Sequence, residues 1–139
     1  MKDDFEKVQE CFEILKRDYP NAVGKLGHLE TPVGWNELIA SCAKEIQEAI
    51  VRFPKSKRDQ YGALQIKEKF GGLHWYGNYP DDSIHQIIKK YEELSYKTCE
   101  VCGKDGKLKK QGGWYDTLCK DHEQIHDTEE DDFFLSVGE

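Results

Sequence analysis

Nowhere in its 139 residues does the chain carry an apolar run approaching the ~18 residues of a membrane span. Its start, Met1-Lys2-Asp3-Asp4, is acidic and does not read as a secretory signal, so we expect no membrane partner. Also missing are a phosphate-binding loop, a GxSxG elbow and an HExxH helix, the commonest local signatures of nucleotide hydrolysis, serine-nucleophile chemistry and zinc proteolysis. No internal repeat and no low-complexity stretch precedes an acidic run at 127–132. Lys and Arg are absent from residues 123–139, which carry seven acidic side chains. The net charge of −7 is therefore a property of the tail, because residues 1–122 hold 20 charges of each sign. A body with balanced charge attracts a polyanion only through local patches.

Five cysteines are present, and one set of them has a chemical meaning. Cys99-Glu100-Val101-Cys102-Gly103 is followed by Cys119-Lys120-Asp121-His122, with sixteen residues between Cys102 and Cys119. This CxxC…CxxH pattern has the spacing of a structural zinc site. Two residues between the first cysteines allow a tight knuckle, and Gly103 can take the positive φ such a turn needs. Cys119 and His122, three apart, would share one face of a helical turn. His126 is a substitute ligand four residues further on. With Cys99, Cys102, Cys119 and His122 closing a tetrahedron, Zn²⁺ would have no open position for water or substrate, so its expected role is structural. A redox dithiol is disfavoured because no βαβ pattern leads into Cys99. Once a metal takes three cysteines, no disulfide framework remains, and the expected compartment is the reducing cytoplasm.

Periodicity organises the rest. Phe5, Val8, Phe12 and Leu15, widened by Cys11 and Ile14, predict an amphipathic helix over 3–18 that Pro20 ends. Residues 20–34 read as a loop, with Gly24, Gly27, Pro32 and Gly34 and few apolar anchors. A second helix is predicted over 36–53, with Asn36 as N-cap and Pro54 as stop. Alternation over Ala63–Phe70 places Leu64, Ile66 and Phe70 on a core face. Gly71-Gly72 then predicts a hairpin over 63–77, with Leu73 and Trp75 also inward. Asp81-Asp82-Ser83 offers caps for a third helix, 83–95. A second hairpin around Gly112-Gly113 and a short helix from Cys119 complete a knuckle–hairpin–helix order that resembles a treble-clef zinc finger. The expected architecture is one α+β domain over 1–126, with helices around a β-hairpin and an appended treble-clef-like zinc module at 97–126. An acidic tail follows at 127–139.

Gly34-Trp35, the strand phrase Lys67-Glu68-Lys69-Phe70-Gly71-Gly72-Leu73 within 65–76, Cys99–Gly103, Gly113-Trp114 and Thr117–His122 resemble a family of small uncharacterised bacterial and bacteriophage proteins. The resemblance spans residues 34–122 and departs from the family pattern at His74, where an arginine is expected. It implies a phage- or mobile-element-linked accessory protein in a bacterial cytoplasm and supplies no activity.

The residues themselves are compatible with three kinds of function. Lys67, Lys69, His74 and Tyr76 can form a positive, aromatic-flanked hairpin face, although a solvated face whose lysines discourage edge pairing is the simpler account. Lys107, Lys109 and Lys110 with Trp114 give the zinc hairpin a basic character suited to nucleic acid, or to nothing beyond solubility. Phe133 and Phe134, beside five acids at 127–132, are expected to anchor the tail, either on a partner or on the protein's own core. Cys11 and Cys42 fall on apolar helix faces and read as core, and neither His28 nor His85 has a partner that makes a dyad. The expectation is a non-enzymatic accessory or regulatory protein that docks on another protein. Nucleic-acid binding through the zinc hairpin is the alternative, and an enzyme with a site dispersed in sequence is the third.

Overall fold

A computed structural model of the chain describes residues 2–123. It is an α+β structure in which helices enclose one antiparallel hairpin, and a Cys/His cluster sits beside a second, separate hairpin. Helix α1, Asp4–Asp18, opens with a reciprocal capping box: Glu6 N–H donates to Asp3 Oδ1 at 2.8 Å and Asp3 N–H to Glu6 Oε1 at 3.0 Å. Its buried stripe is Val8, Phe12 and Leu15 only. Phe5 and Ile14, expected inward, are exposed, because the core lies under the narrower face.

Pro20 does not simply end that helix. It starts a four-residue helix, α2, Pro20–Val23, at the first-turn position where a missing N–H costs nothing. Ala22, Val23, Leu26 and Leu29 are buried, so the stretch read as a loop is a core-forming segment. A 3₁₀ turn, Val33–Trp35, runs directly into α3, Asn36–Ile50. Asn36 is therefore helical and not an N-cap, and the helix ends before the expected Phe53. Ile39, Cys42, Ala43, Ile46 and Ile50 line the inner face of α3, which packs against α5 and α2. Another short helix, α4, Lys55–Arg58, leads to strands β1, Gly62–Lys69, and β2, Gly72–Asn78. Helix α5, Asp82–Ser95, begins with Asp81 accepting the Ser83 N–H at 2.9 Å. Strands β3, Lys107–Gln111, and β4, Trp114–Leu118, complete the order.

The β1–β2 hairpin differs from strict alternation in two places. Ala63 pairs with Gly77 and Gln65 with Tyr76, so Leu64 is the extra residue of a bulge. Ala63 takes the inward position and Leu64 is turned out, 66% exposed. At the other end Lys69 pairs with Gly72, so the central turn residues are Phe70, φ 55°, and Gly71, φ 83°. Two positive φ values suit a primed two-residue turn. Gly72 answers a different need: a Cβ there would lie 2.4 Å from the Tyr96 ring. Phe70 leaves the core and meets Tyr115 of the second hairpin edge-on, with ring centroids 5.5 Å apart. Ile66, Leu73 and Trp75 remain buried as expected.

A lone two-stranded hairpin is marginal in water, and this one is held on three sides. Its inner face joins Trp35, Ile39, Ile46 and Ile84 in the main core. The free edge of β1 is closed by one residue: Glu30 N–H donates to Ile66 O and Glu68 N–H to Glu30 O, both at 3.0 Å. Fully buried Ser95 accepts the Leu73 N–H at 2.8 Å and donates to Glu92 O, tying the hairpin to α5.

The bulge makes a direct prediction for denaturant unfolding. Ile66→Ala should cost about 2–5 kcal/mol through cavity formation. Leu64→Ala should stay within about 0.5 kcal/mol. Comparable losses at both positions would mean that the strand alternates without a bulge.

Candidate metal centre

The knuckle is built by backbone bonds. Cys99 N–H donates to Lys104 O at 2.7 Å and Gly103 N–H to Cys99 O at 3.0 Å, with Gly103 at φ 83° as its position requires. Gly106 N–H then bonds Lys97 O at 2.8 Å, closing the loop back on its own start. Strand β4 delivers Cys119, and a turn in which the His122 and Glu123 N–H groups bond Cys119 O at 3.1 and 2.9 Å swings His122 over it. Lys120–Glu123 is a turn among the described residues, where a helix was expected.

These elements bring the four expected ligands together. The Sγ atoms of Cys99, Cys102 and Cys119 and a ring nitrogen of His122 all lie within 4.8 Å of one another. Cys102 Sγ is 3.7 Å from Cys119 Sγ, while His122 Nδ1 is 3.7 Å from Cys99 Sγ and 3.2 Å from Cys119 Sγ. A tetrahedral ion with metal–sulfur bonds of ~2.3 Å and metal–nitrogen bonds of ~2.0–2.1 Å has edges of about 3.5–3.8 Å. The cluster can therefore hold a metal ion with little movement. Burial would raise the Cys99 thiol, but backbone N–H groups at Cys119, Cys102 and Val101 outweigh it and push the pKa down to about 6. Donors around a sulfur favour its thiolate form, the form that binds a metal.

The module is seated on the body through a seam that spacing could not reveal. Gly34 N–H donates to Glu100 O at 2.8 Å, and the indole N–H of fully buried Trp35 donates to Thr98 O at 2.9 Å. A Cβ on Gly34 would stand 2.3 Å from Cys99 O, so only glycine permits the approach. On the other side fully buried Thr117 donates its hydroxyl to Gly71 O at 2.8 Å, joining β4 to the tip of the first hairpin. Glu100 is the unforeseen residue here. Its carboxylate accepts the Thr117 N–H at 2.8 Å, and its pKa is raised to about 7, chiefly by burial, with the charges of Asp116, Glu68 and Cys99 adding to it.

The lysines do not converge. Strand alternation puts Lys107 and Lys109 on one face of the β3–β4 hairpin, while Lys110 shares the other with Leu108, Tyr115 and Thr117, towards the Gly71 turn. Lys109 is ion-paired with Glu123, and Lys110 lies over the Tyr115 ring at 5.5 Å. Lys69 is 5.7 Å from the Phe70 ring centroid. Lys67 sits opposite His74, whose ring stacks on Tyr76 at 5.8 Å, so the expected outer face of the first hairpin does form. Trp114 is 59% exposed. Phe133, Phe134 and His126 lie outside the described residues. No protein-family model, curated protein or solved structure matches the chain.

The seam gives a second prediction. Gly34→Ala forces the knuckle away from the 3₁₀ turn and should lower unfolding free energy by about 1–3 kcal/mol, the usual cost of overpacking. Chemical denaturation showing no loss would mean that the module is not held at Gly34.

Proposed function

We propose that Cys99, Cys102, Cys119 and His122 hold one structural Zn²⁺ and that the protein is a non-enzymatic accessory factor that docks on another protein. The observation that carries the metal is the set of ligand separations, 3.2–3.7 Å where contacts are made, on three sulfurs and one imidazole. Thiolate-rich tetrahedral sites favour zinc among common divalent ions, and a shell closed by four protein ligands leaves no position for a reacting water. The two cysteines outside the cluster support a non-catalytic reading. Burial raises the pKa of Cys11, and fully buried Cys42 is raised further, so both are poor nucleophiles. Thiols of this kind suit a reducing cytoplasm. The phage- or mobile-element link implied by the resemblance is part of the same proposal.

Protein is favoured over nucleic acid as partner because the basic residues of the zinc hairpin are divided between its two faces and one of them is neutralised by Glu123. A phosphate backbone is bound by several cations on one surface.

Elemental analysis of purified protein should find one zinc per chain. Cys102 is exposed, so Cys102→Ser removes a ligand and little packing. The variant should lose the metal, and a chelator should then lower the melting temperature of the wild type but not of the variant. Zinc should be released as pH falls, because protons compete for the thiolates. Well under one equivalent of zinc, with Cys102→Ser as stable as wild type, would contradict the site. For the partner class, gel-shift assays at low salt should show no complex with single- or double-stranded DNA or RNA. A complex whose affinity falls steeply with salt, and falls again in Lys107→Ala/Lys110→Ala, would establish the nucleic-acid alternative.

A further inference from the structure

A cleft lies between the first two turns of α1, the segment 28–33 and the Cys/His knuckle, with a volume of about 630 Å³. That volume is within the range of ligand sites. Its lining combines two chemistries. Val8 and Leu29 form a buried apolar floor, and Phe5 and Val101, 66% and 37% exposed, stand at its sides. Around them are the acidic residues Asp4, Glu30, Glu68 and Glu100 with His28, and no Lys or Arg is among the lining residues. The carboxylates of Glu68 and Glu100 already accept the Gly71 and Thr117 N–H groups, which leaves Asp4 and Glu30 as the main acceptors for a ligand. Thr31, also in the lining, has a hydroxyl shielded from solvent with no hydrogen-bond partner among the described residues.

We infer that this cleft receives a cationic, partly apolar segment of a partner protein, with an arginine or lysine side chain laid along Phe5 and Val101 and its charged end among the carboxylates. The inference rests on the docking reading above and assigns it a surface. Charge complementarity selects the occupant. The protein's own tail brings five acids at 127–132 and would be repelled, as would a nucleic acid. A bare metal ion is disfavoured because, among the described residues, the Cys/His cluster is the one group with convergent ligand atoms. Carboxylates spread around an apolar trough suit a long side chain, whose methylenes cover apolar surface while its end group reaches several acceptors. An aromatic wall at Phe5 adds a cation–π contact. The thermodynamic reason for a vacant apolar side chain such as Phe5 at the mouth is then the area it buries on docking.

The test is an NMR titration of the zinc-loaded full chain with a short peptide of alternating arginine and leucine. The control is the same peptide with glutamate replacing arginine. The arginine peptide should shift the amides of Leu29–Val33 and Val101 in a saturable way, and the glutamate peptide should not. Phe5→Ala/Glu30→Lys, at two exposed positions, should weaken binding on the order of tenfold or more without changing the melting temperature. Shifts confined to residues 124–139, or equal affinity in the double variant, would overturn the cleft as the site. So would no saturable shift at about 1 mM peptide. The titration reads the cleft alone. A partner from the native host that binds wild type and double variant equally would refute the cleft while leaving protein docking intact, whereas the zinc and gel-shift assays bear on the reading itself.

Discussion

A module that cannot bury enough surface to fold has to be held by something else. Among the described residues, Cys99, Leu118 and Cys119 form the buried apolar group around the Cys/His cluster, separate from the twenty-residue main core. Fully burying a large side chain contributes about 1.5–3 kcal/mol, so three such residues, two of them small, fall well short of the cost of ordering the surrounding chain. A structural zinc site supplies apparent free energies of about 10–16 kcal/mol in comparable small modules. On those magnitudes a metal ion bound between the knuckle and the end of β4, as proposed, would decide whether the second hairpin exists as a structure.

The consequences reach beyond the module. The knuckle presents Glu100 O to Gly34 and Thr98 O to the Trp35 indole, so its shape is read directly by the turn that launches α3. Thr117 on β4 meets the Gly71 carbonyl, and Tyr115 meets Phe70, which stands at a backbone angle uncommon for a bulky residue. The tip of the first hairpin is thereby fixed by the second. The cleft depends on the same geometry, because Glu100 and Val101 are two of its walls. A metal ion held in the cluster would in this way reach a surface some distance from its ligands.

The Cys/His cluster was legible in the sequence because its spacing encodes a geometry: two residues make a knuckle, and a three-residue step makes a turn. The long helices were legible because period 3.6 is written in side chains that recur over four turns. The hairpin was legible in outline and not in register. Its bulge at Leu64 obeys the paired strand rather than the local pattern, and Gly72 is small because of Tyr96, the residue that caps the end of α5. Ala22 and Val23 looked too slight to anchor anything, yet a four-residue helix places both in the core. Gly34 looked like a loop glycine, and its reason is a carbonyl sixty-five residues away in sequence, at Cys99. Glu100 gave no signal at all, since an acid between two cysteines becomes significant only when Thr117 and Asp116 are folded over it. What local pattern cannot carry is contact between distant segments, and the seam and the cleft consist of such contacts.

In the proposed reading one metal ion holds the knuckle and, through it, the Gly34 turn and the hairpin tip. Hydrogen exchange on the metal-loaded and metal-stripped protein measures this directly. Stripping the metal should abolish protection over residues 99–123 and weaken it at Gly34 and Gly71, while the inner amides of α1, α3 and α5 keep theirs. Unchanged protection throughout the module after the metal is removed would contradict it.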